Sequence, residues 1–183
     1  MMLLHAKHAS QDAHRVVIQS PDTDVLLLCV SHYDDIGCNE LWFRAGVKDH
    51  LRYISAHKIS QTLGLPMCKA LPAFHALTGC DSTSALSGLG KKKAWKVITE
   101  SSKHQQSLGN VGRSAEVDAE TAASIESFIY SLYTVSKRIP ASVDEARYIL
   151  FCQKAQNYMA LPPASDSLLQ HSKRANYHAS MSR

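Results

Sequence analysis

Residues 75–98, HALTGCDSTSALSGLGKKKAWKVI, hold the densest set of side chains and turns that could do chemistry. Asp81 follows a tight Gly79-Cys80 step, and Gly88-Leu89-Gly90 opens straight into Lys91, Lys92 and Lys93. Glycines let the backbone bend so that successive N–H groups point one way, and such a nest at a helix N-terminus suits phosphate. The lysines would add mobile positive charge around it, so the spacing is compatible with holding a phosphate backbone. A glycine-rich turn before a solvated basic helix start has the same spacing, and spacing does not separate the two.

A second candidate is the pair Asp22 and Asp24 in Ser20-Pro21-Asp22-Thr23-Asp24, directly after the β-branched run Val16-Val17-Ile18. Carboxylates two residues apart repel unless a cation sits between them, and hard oxygen ligands suit Mg²⁺ or Mn²⁺. In open α/β sheets the end of a strand is where ligands gather. The competing reading is helix capping, because Ser-Pro-Asp is ordinary turn chemistry; on local evidence capping is favoured. Asp81 could join the pair only if the fold brings residues 22 and 81 together. Asp34, Asp35 and Asp49 read as solvated loop residues, and His75 as a core histidine on an apolar helix stripe.

The elements that must position these groups alternate. A helix is expected within residues 1–15, a strand at 16–19, an apolar run of either type at 25–30, and strands at 41–44 and 52–55. A helix at 58–63 should end at Gly64, and another should cover 66–78, with Pro72 marking its first turn. Alternation of this kind predicts an α/β layered domain over residues 1–105. Residues 106–165 are expected as a linker and helical extension: a polar surface stretch across 101–120, then helices at 121–136 and 143–158. The second of these opens on Ser142-Val143-Asp144-Glu145, a capping box. Residues 166–183 read as a polar tail without a core of its own. His57, Trp95 and the helices beyond residue 120 carry no readable function, and Trp95 is expected to pack its ring against the domain.

Apolar residues make up 45% of the 183-residue chain, enough for a core, and 20 basic against 16 acidic residues leave a net charge of only +4. That surplus does not argue for nucleic acid; the local lysine cluster does. Five cysteines without a C-x-x-C pair exclude a disulfide framework or zinc knuckle and point to reduced thiols, hence an intracellular setting in nucleus or cytoplasm. The ten histidines form no metal-binding spacing, and no stretch is long and apolar enough to span a membrane. The chain begins inside a helical pattern with no capping residue, which leads us to expect an N-terminally truncated domain.

VVIQSPDTDVL and ALTGCDSTSALSGLGKKKAWKVI together resemble the flap-endonuclease branch of the PIN-like nucleases. There a strand leads into a D-x-D pair, and a later G-[SC]-D aspartate precedes a helix–two-turn–helix element of the form G-[IL]-G-x-K-x-A. More closely, the chain is similar to animal PIN-like proteins, often transposon-associated, that carry S-P-D-T-D-V and H-A-L-T-G-C-D. The resemblance implies a three-layer α/β domain with a mostly parallel sheet. It implies Asp22, Asp24 and Asp81 as catalytic metal ligands for Mg²⁺ or Mn²⁺, and Gly88, Gly90, Lys91, Lys92 and Lys93 as the hairpin on a nucleic-acid backbone, DNA before RNA. The implied reaction is two-metal phosphodiester hydrolysis.

The family also places an acidic pair and a strand ahead of the region corresponding to Met1, and no acidic pair precedes Asp22 here. The expectation is therefore a nuclease-like domain with reduced or no activity. The alternatives are a non-catalytic nucleic-acid-binding module or an inactive transposon-derived protein.

Overall fold

A computed structural model describes residues 2–133, 140–153 and 161–182. The fold is mixed α/β, with a three-stranded sheet and many helices, and the chain divides into two compact units, Met1–Pro72 and Ala73–Arg183.

The first unit runs α1 (Met2–Ala9), β1 (Arg15–Gln19), α2 (Thr23–Ser31), α3 (Tyr33–Ile36), β2 (Glu40–Ala45), β3 (Arg52–Ser55) and α4 (Ala56–Leu63). In β1 every second residue is buried, Val16 and Ile18, as a half-covered strand requires. It pairs with β2 in parallel, Arg15 opposite Glu40 through Gln19 opposite Arg44, and α2 with α3 forms the crossover that parallel pairing demands. β2 and β3 are antiparallel, Trp42 opposite Ser55. The expected mostly parallel sheet is thus one parallel and one antiparallel pair. The reason is the connection: residues 46–51 are too few for a crossover, and Gly46 at φ 85° turns the chain where a Cβ would lie 2.2 Å from the His50 carbonyl oxygen.

Leu41 and Phe43 of β2, with Cys29 and Val30 of α2 and Ala56 of α4, are buried. The buried His57 shares an Nδ1 contact of 2.9 Å with the Leu41 carbonyl oxygen, and its ring lies edge-on to Trp42. The apolar run at residues 25–30 is helical, and Gly64 at φ 77° ends α4 as expected.

α5 (Leu65–Thr78) carries the chain from the first unit into the second. It runs through Pro72 rather than starting there. An interior proline costs about 3 kcal/mol through the lost hydrogen bond and ring clash. Burial of Met67, Leu71, Phe74 and Leu77 along the same helix offsets this.

The second unit continues with α6 (Lys91–Thr99), α7 (Ser102–Leu108), α8 (Ala119–Leu132), α9 (Val143–Gln153) and α10 (Ser165–Met181). Its core gathers Ile98, Leu108, Val111, Ile125, Phe128, Ile129, Leu132, Val143, Leu150 and Leu168. Trp95 meets Phe74 edge-on at 5.6 Å between centroids, and Phe74 and His104 both approach Phe128. α7 occupies the stretch expected as surface loop; Ser101 caps it by accepting from the His104 N–H at 3.3 Å. Asp118 caps α8 in the same way through the Thr121 N–H at 2.7 Å. Ser142 accepts from the Glu145 N–H at 3.1 Å, as the capping box predicts. The expected ends of α8 and α9, residues 134–136 and 154–158, lie outside the described residues.

Residues from 166 onward, read from sequence as a polar tail, form most of the 17-residue helix α10. Its buried positions, Leu168, His171, Ser172, Ala175, Asn176 and Ala179, fall on one helical stripe. Half of that stripe is polar, and its polar side chains find hydrogen-bond partners within the second unit. His171 Nε2 donates to the Leu77 carbonyl oxygen at 3.0 Å. Asn176 accepts from the Gly112 N–H at 2.7 Å and donates to the Ser114 carbonyl oxygen at 2.9 Å.

Candidate nucleic-acid interface

In the first unit, β1 delivers the chain to Asp22, the N-cap of α2. One carboxylate oxygen of Asp22 accepts from the Asp24 N–H at 2.8 Å, and the Asp22 N–H donates to Ser20 Oγ at 3.1 Å. Asp24 follows in the first turn of the helix, where a negative charge meets the positive end of the helix dipole. The two aspartates are therefore brought together at the carboxyl end of a parallel strand, with Asp22 performing the capping role.

In the second unit, Asp81 sits at the tip of a tight turn. Gly79, at φ 101°, has no room for a side chain, because a Cβ would lie 2.6 Å from Ala85 Cα. Cys80 and Thr83 exchange backbone hydrogen bonds, and Thr83 Oγ1 donates to the Ala76 carbonyl oxygen at 2.6 Å, tying the turn to α5. Asp81 and Ser82 are left exposed. Cys80 Sγ lies 3.1 Å from Thr83 Oγ1 and 3.4 Å from Ser82 Oγ. Burial pushes its thiol up, but the hydrogen bonds with Ser82 and Thr83 outweigh this and hold it below the ordinary value.

Gly88, at φ 70°, then turns the chain between Leu86 and Leu89, whose N–H donates to the Leu86 carbonyl oxygen at 3.2 Å. Gly90 is the N-cap of α6, and no side chain caps that end. Lys91, Lys92 and Lys93 are all exposed on its first turn. Lysines there run against the helix dipole, which an anion at the same spot would relieve. Lys91 Nζ donates to His75 Nδ1 at 3.2 Å, which fixes the δ nitrogen of His75 as an acceptor.

Charge is divided unevenly along the chain. Residues 1–72 contain seven basic and seven acidic side chains, whereas residues 73–183 contain thirteen and nine. The whole net charge of +4 therefore belongs to the second unit. Lys173 and Arg174, assigned from sequence to a tail, stand exposed on α10. Reading the apolar and small residues of 165–181 at helical spacing is the signal that would have placed them on a structured surface.

The carboxylates supply oxygens of the type Mg²⁺ and Mn²⁺ take, but the Asp22–Asp24 turn offers them only as a pair. Among the described residues no group of three or more His, Cys, Asp or Glu side chains is arranged to hold a metal ion. None of the described helices is long and apolar enough to cross a membrane.

Fold and site together define a mixed α/β protein whose second unit presents a glycine-led, lysine-rich helix start. Compared with family models, curated proteins and solved structures, the chain matches none of them.

Proposed function

We propose that this chain is a nucleic-acid-binding module on a PIN-like, flap-endonuclease-type framework, with the turn at residues 88–93 holding a phosphodiester backbone. The observation that carries this reading is the exposure of Lys91, Lys92 and Lys93 together on the first turn of α6, behind a glycine N-cap with no capping side chain. The free N–H groups of the helix start and three exposed cations then share one helical turn, a combination that suits phosphate oxygens and reads no base. Concentration of the net charge in the same unit supports it. DNA is favoured over RNA on the resemblance alone. Five cysteines outside any disulfide suit a reducing compartment, nucleus or cytoplasm.

The test is fluorescence anisotropy of labelled DNA across a salt series, with the wild type and a Lys91→Ala/Lys92→Ala/Lys93→Ala variant. Sequence-indifferent binding should weaken steeply with salt, and the variant should lose about tenfold or more in affinity and flatten the salt slope by about two to three. Equal binding by the variant would leave the lysines a solvated helix start and nothing more.

A second reading, metal-dependent phosphodiester hydrolysis, is favoured by the position of Asp22 and Asp24 at the carboxyl end of β1. In it Asp22 and Asp24 would hold Mg²⁺ or Mn²⁺, with Asp81 added as a ligand on the resemblance alone, and the ion would activate water and stabilise the leaving oxygen. Calorimetric titration of Mn²⁺ should then give binding that Asp24→Asn abolishes. Unchanged affinity in that variant would sink this reading and leave the first intact.

A further inference from the structure

α10 places Lys173, Arg174, Tyr177, His178 and Met181 at helical spacing, and together with Ser82 they line an open groove of about 390 Å³. Tyr177 is 67% exposed and Met181 72%, large apolar surfaces that a solvated helix face does not need. The ring of His178 lies 6.1 Å from that of His75, whose Nδ1 is the acceptor for Lys91 Nζ. His178, on the groove wall, is thus linked through His75 to Lys91 at the start of α6. Arg174 also lines a second groove, of about 370 Å³, with Ser84, Ser87 and Arg147. Each groove thus brings cations together with residues of the 82–87 loop.

We propose that this groove binds single-stranded nucleic acid, with Tyr177 as the stacking platform for an unpaired base and Lys173 and Arg174 on the flanking phosphates. This rests on the reading that the second unit binds nucleic acid. What it adds is the kind of strand. A duplex keeps its bases stacked on each other and offers Tyr177 no face, whereas a single strand offers a π-surface at every nucleotide between regularly spaced phosphates. Met181 supplies an adaptable apolar wall beside the ring. An acidic peptide would satisfy the two cations and leave the aromatic ring idle.

The test uses the full chain with fluorescein-labelled dT15 and a 15-base-pair duplex at one salt concentration. The wild type should bind the single strand more tightly than the duplex. Tyr177→Ala should weaken single-strand binding by about fivefold or more with duplex affinity unchanged, and Tyr177→Phe should retain it, because the ring is what stacks. Lys173→Ala/Arg174→Ala should reduce the salt slope for the single strand by about one. As a measurement independent of substitution, photocrosslinking of 5-iodouracil-substituted single strand should map to Tyr177. Unchanged dT15 affinity in Tyr177→Ala, or crosslinks confined to other segments, would overturn the assignment. Duplex binding without any single-strand preference would overturn this inference alone. Failure to bind either nucleic acid would overturn it together with the binding function.

Discussion

Asn176 shows how a polar side chain can act as a core residue. At 2% exposure it accepts from the Gly112 N–H and donates to the Ser114 carbonyl oxygen, so both ends of its amide are used. Replacement by leucine would strand a buried N–H, at a cost of about 1–3 kcal/mol, and would overfill the site besides. Asn176→Leu should lower the urea midpoint accordingly, and Asn176→Asp should lose as much or more at pH 7, because it buries a carboxylate against the Ser114 carbonyl oxygen that the amide had donated to. A clearly smaller loss in Asn176→Asp would mean that the acceptor side alone carries the contact. Cysteine chemistry divides at the same scale. Burial pushes the Cys29 thiol up to about 12, whereas hydrogen bonding with Ser82 and Thr83 holds Cys80 below its ordinary value against the effect of burial. Iodoacetamide at pH 8 should therefore alkylate Cys80 well ahead of Cys29, as peptide mapping by mass spectrometry would read. Ser82→Ala should slow the reaction at Cys80, and an unchanged rate would take the hydroxyl out of the account.

Elements differ in how far their glycines are required. At Gly79 a Cβ would strike backbone at 2.6 Å and the φ of 101° disfavours any L side chain, so Gly79→Ala should cost about 1–3 kcal/mol and displace the turn bearing Asp81 and Ser82. Gly90 has an ordinary φ of −79° with nothing within 4 Å of a Cβ, so Gly90→Ala should cost only the weaker cap, at most about 1 kcal/mol. Urea denaturation of the two variants checks the contrast, and comparable losses would refute it. The same local logic explains what was legible beforehand. β1, β2 and β3 could be read because β-branched and aromatic runs ended in turn residues, and α9 because Ser142 and Glu145 stand at capping-box spacing. Asp22 was readable as a cap for the same reason, since the deciding hydrogen bond spans two residues. α10 was not legible from its polarity, because half its buried stripe is His171, Ser172 and Asn176, and the partners of His171 and Asn176 lie more than 60 positions away. Ser172 alone bonds within its own helix, to the Leu168 carbonyl oxygen. α7 hid for a related reason, as Ser102-Lys103-His104-Gln105-Gln106-Ser107 has loop composition and is held by the burial of His104 and Leu108. The basic groove on α10 was invisible with it. The lysines of α6 needed no partner to be found, only adjacency.

The molecule as a whole is bounded in pH by groups in both units. On the alkaline side, burial pushes Cys29 in the first unit and Tyr133 in the second up to about 12. Unfolded, the thiol ionises near 9.0 and the phenol near 10.0. Above those values the unfolded chain sheds protons that the folded chain keeps, so stability falls with rising pH until the folded groups ionise. On the acid side, burial holds His104 and His171 below their ordinary value of 6.5, so the unfolded chain gains protons first as pH falls. Glu40 follows: hydrogen bonds from Arg15 and Trp42 hold it down to about 2 from 4.5, so its contribution is complete above 4.5 and disappears as pH falls toward 2. Stability should accordingly be greatest between about pH 6.5 and 9. Tyr133 offers the clean test, because its buried hydroxyl has no hydrogen-bond partner among the described residues. Phenylalanine there removes the phenol from the alkaline limb without stranding a partner, so in denaturant titrations Tyr133→Phe should match or exceed the wild type at pH 7. Between pH 10 and 12 it should lose stability more slowly. An alkaline limb identical to the wild type, with lower stability at pH 7, would instead assign the hydroxyl a partner and move the alkaline sensitivity to other groups.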